Sequence, residues 1–136
     1  MLVGGTTTAG KGLVHQTDIP ANYSGYWFQN AGGQYSGGNV NLVVDAGAHV
    51  DLTFDGTAVT WIGYRDEWSG VANVYVDGVE KTQIDTYLSP SRAQTTLYTI
   101  TNLTSGSHTL TVEATGARSE SALASWVWID SFDVVR

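Results

Sequence analysis

Apolar and polar residues alternate along much of this chain, and this period of two constrains the fold more than any other feature. The alternation is clearest in the stretch 59–78, which reads VTWIGYRDEWSGVANVYVDG. Its two ends predict half-buried strands whose inward positions are Val59, Trp61, Gly63, Ala72, Val74 and Val76. Asp77-Gly78 then predicts a two-residue hairpin turn, because Gly tolerates positive φ. We therefore expect two fixed strands that present the charged, aromatic loop 64–70.

Composition favours strands over helices in the rest of the chain as well. Charged residues make up only 14% of it, while β-branched and aromatic residues, which suit a pleated surface, are frequent. No stretch shows a helical period. Further strands are predicted at Lys11–His15, Tyr26–Phe28, Asn39–Val44, Ala48–Phe54, Val79–Tyr87, Gln94–Ile100, His108–Thr115 and Trp126–Val135. Short strands separated by turns, at intervals of roughly a dozen residues or less, predict an all-β fold, an antiparallel β-sandwich.

Length and charge limit the domain organisation and the partners. The 136 residues suit one domain with its own core; we expect residues 11–136 to form it and residues 1–10 to be a linker remnant. A larger, secreted parent protein is therefore expected. The net charge of −7 disfavours nucleic acid, because little could neutralise the phosphates. No apolar run approaches the ~20 residues of a membrane span, and no cysteine occurs. We expect a monomer.

Two tryptophans near the end of the chain are candidate binding residues. If Val127 and Ile129 fill the core, Trp126 and Trp128 project from the other face of the strand. Side chains two apart lie ~6.6 Å apart along a strand, so the two indoles would form a flat apolar strip. Sugar rings present C–H faces that stack on such a strip. The alternative is that an indole packs against a neighbouring strand.

The loop 64–70 holds the other candidate contacts. Trp68 lies between polar residues, where an indole is either an exposed contact or an anchor that folds onto the sandwich. Its neighbours offer forked hydrogen bonds to vicinal hydroxyls: Tyr64, Arg65, Asp66 and Glu67. The alternative for these residues is a solvated charged turn. Tyr87 and Arg92 flank the loop Leu88–Ala93 and are expected to line the same rim.

Catalysis is not expected. Asp66 and Glu67 are adjacent, so their side chains diverge, whereas a glycosidase pair needs two carboxylates facing each other across ~5–10 Å. The three histidines lie in separate elements and lack metal-ligand spacing. No serine elbow, phosphate loop or cysteine nucleophile occurs. The remaining aromatic residues are interpreted mainly as structural: Trp27, Trp61, Tyr75 and Tyr98.

Several runs together resemble the galactose-binding-like β-sandwich modules, which are jelly rolls appended to secreted bacterial polysaccharide-degrading enzymes. The resemblance covers His15–Val135 and is carried by WIG-YRDEWSG-VANVYVDGV, IDTY, LYTITNLTSGSHTLTVEATG and WVWIDSFDVV. It implies a jelly-roll sandwich and sugar recognition at loop tips or on a sheet face. The chain departs from the family at Tyr64–Trp68, where a Gly/Pro/Lys-type loop is usual, and at Trp128, where a polar strand residue is usual.

Some relatives of this family hold a structural calcium between the first and the last strand. Oxygen-rich segments occur at both places in this chain, and the candidate ligands are Asp18, Asp130 and Asp133. The alternative is that these carboxylates cap turns. No other cofactor is expected.

These observations lead to one hypothesis and one alternative. The hypothesis is a non-catalytic carbohydrate-binding module that tethers a secreted, extracellular enzyme to a polysaccharide, for which a plant cell-wall-type glycan is expected. Binding would rest on aromatic stacking with a few polar contacts. The alternative is a structural or adhesive β-sandwich spacer, in which the tryptophans serve packing or protein contacts.

Overall fold

Twelve β-strands and no helix make up the described part of the computed structural model, which covers residues 11–15, 21–33 and 39–135. Among these residues no helix is long and apolar enough to cross a membrane. In chain order the strands are β1 (Lys11–His15), β2 (Ala21–Ser24), β3 (Trp27–Ala31), β4 (Asn39–Val43), β5 (His49–Asp55), β6 (Ala58–Arg65), β7 (Val71–Val76), β8 (Val79–Asp85), β9 (Arg92–Ile100), β10 (Ser107–Ala114), β11 (Val127–Ile129) and β12 (Ser131–Val135).

The strands form two layers. One layer is a five-stranded sheet in the order β2-β5-β10-β7-β8, and the other contains a four-stranded sheet, β1-β12-β6-β9, and a three-stranded sheet, β11-β4-β3. Neighbouring strands in all three sheets are antiparallel. The predicted antiparallel β-sandwich is confirmed.

The core lies between the layers and is built by the period-two alternation. Strand β6 alternates buried and half-buried residues, and its Trp61 is fully buried, as the sequence predicts. It packs in one cluster with Leu52, Val74 and Leu110 from the five-stranded sheet. Half-buried Trp27 packs against this cluster, and its Nε1 donates to the Ser24 carbonyl at 3.0 Å.

The predicted strand 126–135 is wrong in one respect, because the chain changes sheets within it. Residues 127–129 pair with β4, whereas residues 131–135 pair with β6. Between them the buried Asp130 donates its backbone N–H to the Ile62 carbonyl at 3.0 Å. Alternation does not reveal a change of partner strand, because both halves bury the same kinds of residue.

Strand β2 is a second correction, because no strand is predicted from the sequence at Ala21–Ser24. It pairs with β5 at the edge of the five-stranded sheet. Only Ala21 and Tyr23 face the core, so the alternation is too short to stand out beside Pro20 and Gly25. Burial of Tyr23 raises the pKa of its hydroxyl to about 12.

The predicted Asp77-Gly78 turn closes the β7–β8 hairpin, and both residues have positive φ, 52° and 81°, as a type I′ turn requires. The Asp77 carboxylate accepts from His108 Nδ1 at 2.6 Å and from the Thr109 backbone N–H at 2.8 Å. His108 Nε2 lies 2.6 Å from the Thr104 carbonyl oxygen. Since both partners of the ring are acceptors, the imidazolium form satisfies both.

This network predicts that stability depends on pH. Hydrogen bonds to Asp77 and Thr104 raise the pKa of His108 above 6.5, so its contribution is full below about pH 6.5 and is lost as pH rises through the raised pKa. The hydrogen bond from His108 lowers the pKa of Asp77 below 3.8, so that contribution is present above about pH 3.8 and is lost as pH falls through the lowered pKa.

We expect the pair to stabilise the domain most between about pH 4 and pH 6.5. Melting temperatures measured from pH 3 to pH 9 in wild type and His108→Gln test this. The difference between the two proteins should shrink on both sides of the window. A constant difference across the range would contradict the prediction.

Candidate functional site

Three loops meet at one end of the sandwich: 66–70 after β6, 86–91 after β8 and 115–126 after β10. Backbone hydrogen bonds hold them together. The Leu88 N–H donates to the Asp66 carbonyl at 3.1 Å, and the Leu123 N–H donates to the Glu67 carbonyl at 2.8 Å. Ser69 forms a parallel bridge with Trp126. The rim that the sequence predicts from the loops 64–70 and 88–93 therefore includes a third loop, 115–126.

Asp66 organises the loop 66–70 from inside. Its Oδ1 accepts from Ser69 Oγ at 2.6 Å and from the Trp68 backbone N–H at 3.0 Å, and its side chain is buried. The alternative of a solvated charged turn is therefore wrong for Asp66. Its carboxylate fixes the backbone that carries Trp68.

Arg65 also acts within the fold. Its guanidinium donates to the carbonyls of Asp85, Thr86 and Tyr87 at 2.8, 3.3 and 3.3 Å. These three contacts tie the end of β6 to the end of β8. The predicted hydrogen bonds from Arg65 to a ligand would have to compete with them.

The remaining polar residues predicted for the rim are more open. Glu67 is half-buried and accepts from Ser89 Oγ at 3.1 Å. Tyr87 is half-buried, and Arg92 is exposed at the start of β9, opposite Arg65 in the strand register. The structure thus brings Glu67, Tyr87 and Arg92 to the same end of the sandwich.

Four aromatic rings form the centre of this end, and we call them the aromatic cluster: Tyr64, Trp68, Trp126 and Trp128. Trp68 stacks on Trp126 with ring centroids 5.2 Å apart and planes 20° apart. Trp126 meets Trp128 edge-to-face at 6.0 Å, and Tyr64 meets Trp128 edge-to-face at 5.0 Å. Neighbouring rings therefore contact one another from Tyr64 to Trp68.

The exposed fraction of the side chain rises from Trp128 through Trp126 to Trp68. Trp128 is only 3% exposed, Trp126 is half-buried, and Trp68 is 43% exposed. The expectation that Trp128 faces solvent is wrong. Its indole does lie on the face opposite the core residues Val127 and Ile129. Other side chains nevertheless pack against it, namely those of Tyr64, Trp126, Leu42 and Val40. The alternative in which one indole packs is the correct one for Trp128.

Two further aromatic residues extend the same sheet face, and sequence reasoning missed them as site residues. Trp128, Leu42 and Phe28 lie directly opposite one another on β11, β4 and β3, so their side chains share a face. Phe28 is 50% exposed and stacks at 5.2 Å on Tyr26, which is 70% exposed. The signal was present in the sequence: Tyr26 and Phe28 alternate with Trp27, which packs on the core.

The exposed ring of Trp68 allows binding by stacking. Within the described ranges no group of three or more His, Cys, Asp or Glu side chains could hold a metal ion. Asp130 is fully buried and Asp133 is half-buried, while Asp18 lies outside the described residues. The calcium site stays a prediction.

No protein-family model matches the sequence. Two curated proteins from Flavonifractor plautii are similar to it over 99 residues, 73% of the chain. One is an A type blood N-acetyl-α-D-galactosamine deacetylase, 34% identical, and the other is an A type blood α-D-galactosamine galactosaminidase, 30% identical. The chain spans only 13% and 9% of their lengths.

Solved structures share the fold at low sequence identity. A Paenibacillus xanthan lyase superposes with a TM-score of 0.73 at 15% identity, over 96% of this chain and 14% of the lyase. An exo-β-1,3-galactanase from Phanerochaete chrysosporium superposes with a TM-score of 0.61 at 17% identity, over 94% of this chain and 30% of the galactanase. The resemblance to β-sandwich domains of carbohydrate-active enzymes is confirmed at the level of the fold.

Proposed function

We propose that this chain is a non-catalytic carbohydrate-binding module of a larger secreted enzyme and that sugars stack on Trp68. The observation that carries the proposal is the 43% exposure of this indole in a loop whose backbone is fixed by a buried carboxylate. A rigid, exposed aromatic ring is costly to leave in water and ready to accept the C–H face of a sugar without reorganisation.

The surroundings of Trp68 supply the polar part of such a site. Sugar hydroxyls need hydrogen-bond partners once their ring has stacked. Glu67 and Tyr87 are half-buried at the same end of the sandwich, and Arg92 is exposed there. Arg65 and Asp66 hold the loops of the site in place, because their side chains form hydrogen bonds with backbone groups of these loops.

The relatives narrow the sugars to test first. Both curated relatives are named for amino sugars of the galactose series, and the matched region is a small part of each. A small part of a large enzyme is what an accessory binding domain would occupy. We therefore place N-acetylgalactosamine, galactosamine and galactose first in the screen, followed by β-1,3-galactan and mannan.

The experiment is titration of the module with each sugar by calorimetry and tryptophan fluorescence. For a bound sugar, Trp68→Ala should weaken affinity by ~1–3 kcal/mol, the scale of aromatic stacking. The same change should lower the free energy of unfolding by less than about 1 kcal/mol, because the indole is on the surface. Val79→Ala is the matched control, since Val79 is exposed at the start of β8, in the five-stranded sheet.

Two results would contradict the proposal. No detectable binding to any sugar of the screen would favour the structural or adhesive spacer. Binding that Trp68→Ala leaves intact, in a protein that remains folded, would move the site away from this indole.

A further inference from the structure

The exposed aromatic rings lie at two ends of one sheet face. One end is the Trp68–Trp126 pair, and the other is the Tyr26–Phe28 pair. Phe28 is on β3 and Trp128 is on β11, and both strands neighbour β4. Two interstrand spacings therefore separate Phe28 from Trp128, about 10 Å, and Trp126 contacts Trp128 and stacks on Trp68. A single sugar ring is too small to lie against both ends at once.

Among the described residues, the surface between these ends is mainly apolar, with the exposed amide of Asn30 beside it, opposite Val40 in the strand register. Leu42 lies between Phe28 and Trp128 in the strand register, and it packs against Trp128 together with Val40. Leu42 is half-buried and Trp128 is buried. The exposed rings therefore stand at the two ends of one mainly apolar surface.

Charge narrows the kind of ligand that this surface fits. The described residues that form it are Tyr26, Phe28, Val40, Leu42, Tyr64, Trp68, Trp126 and Trp128, and none of them carries a charge at neutral pH. A uronate or phosphate group placed on this face would meet no cation among these side chains. Two charged side chains of the rim, Glu67 and Arg92, lie at the Trp68 end and have opposite signs. The face therefore suits an uncharged ligand with repeated apolar patches.

The two pairs also share a geometry. Tyr26 and Phe28 are stacked with planes 22° apart, and Trp68 and Trp126 are stacked with planes 20° apart. In each pair one ring supports the other and limits its rotation. Both ends thus present a ring that is ordered before a ligand arrives, which lowers the entropy cost of stacking.

We propose that Tyr26 and Phe28 form a second stacking subsite, so that the module binds a neutral polysaccharide chain across β3, β4 and β11. This inference rests on the proposed function, because Trp68 supplies the first subsite. It specifies the substrate class: an extended neutral chain of several sugars, in which the Tyr26–Phe28 pair contacts units that a monosaccharide lacks.

The test compares polymers with their own monosaccharides. Soluble β-1,3-galactan and galactose form one pair of probes, and mannan and mannose form the other. Affinity electrophoresis and calorimetry are run on wild type, Tyr26→Ala/Phe28→Ala, Trp68→Ala and the Val79→Ala control. The ring-preserving variant Tyr26→Phe/Phe28→Tyr is included, and melting temperatures verify that each protein is folded.

We expect wild type to bind a polymer more tightly than its monosaccharide. Tyr26→Ala/Phe28→Ala should weaken polymer binding about five- to thirtyfold, as loss of a stacking ring does, and should leave monosaccharide binding unchanged. Tyr26→Phe/Phe28→Tyr should retain the polymer affinity. Trp68→Ala should weaken the binding of both the polymer and the monosaccharide.

The outcomes separate the two proposals. If wild type binds a monosaccharide but gains nothing from the polymer, or if the double alanine variant keeps full polymer affinity, the second subsite is overturned and the first stands. If wild type binds an amino sugar of the screen but neither polymer, the inference is overturned and the proposed function stands. If wild type binds no sugar of the screen at all, the proposed function fails and the inference with it. If the double variant instead converts a dimer to a monomer in sedimentation without changing polymer affinity, the pair is a contact between copies and the inference is overturned.

Discussion

Replacing Trp128 with Ala is expected to lower the free energy of unfolding by about 3–5 kcal/mol, the cost of removing a buried tryptophan. Trp128 is 3% exposed and contacts the rings of Tyr64 and Trp126. Its removal would leave a cavity beneath the rings that lead to Trp68. Because a domain of this kind is stable by only ~5–15 kcal/mol, a large part of its stability would be lost.

Urea unfolding followed by circular dichroism measures this effect. Trp68→Ala is the matched control, because it removes the same side chain from the exposed end of the same cluster. We expect it to cost less than about 1 kcal/mol. Equal destabilisation by the two variants would contradict the order of burial within the aromatic cluster.

Replacing Gly70 with Ala is the second change for which we expect a large effect. A Cβ at this position would lie 2.5 Å from Ser125 Cα and 2.7 Å from the Ala117 carbonyl oxygen. Both are backbone atoms of the loop 115–126, so a rotamer change cannot relieve the clash. The loop would have to move, at a cost of about 3 kcal/mol, the upper end for overpacking a core.

The same glycine joins all three loops of the site, which gives the substitution a second consequence. The Gly70 N–H donates to the Trp126 carbonyl at 2.8 Å, and the Gly70 carbonyl accepts from Thr86 Oγ1 at 2.6 Å. Displacing the loop 115–126 would shift Trp126 relative to Trp68. We therefore expect Gly70→Ala to weaken sugar binding as well as stability.

Denaturant titration and calorimetry on the folded fraction measure the two effects. Gly33→Ala is the control, because a Cβ there meets nothing within 4 Å and the change should stay within about 0.5 kcal/mol. Unchanged stability in Gly70→Ala would show that the loop 115–126 yields easily, and the rigid platform argued for Trp68 would then be wrong.

The aromatic cluster explains how a small domain can present a large apolar ring without collapsing onto it. Each ring is held by the next, and burial decreases from Trp128 to Trp68. The buried Asp66 carboxylate holds the backbone N–H of Trp68 at 3.0 Å. The ring packs on Trp126 and the hydrogen bond fixes the backbone of Trp68, so the exposed face of the indole is available to a ligand.

The sequence by itself determined the sandwich class of the fold and the main core positions of this protein. Period-two alternation places Val59, Trp61 and Val74 inside, and they are buried, because a strand can bury only every second side chain. It also determined the turn at Asp77-Gly78, since the positive φ of such a turn suits few residues. These features are local, so neighbouring residues suffice to specify them.

Only the tertiary structure decided which candidate side chains face solvent. Trp126 and Trp128 follow the same alternation, yet Tyr64 from β6 packs against Trp128 and helps to bury it. No pattern within 126–135 predicts this contact. Arg65 and Asp66 resemble ligand contacts in the sequence, but carbonyls and N–H groups of the loops occupy them. Exposure and hydrogen-bond capacity depend on what distant segments place beside a residue, and that is a property of the assembled fold.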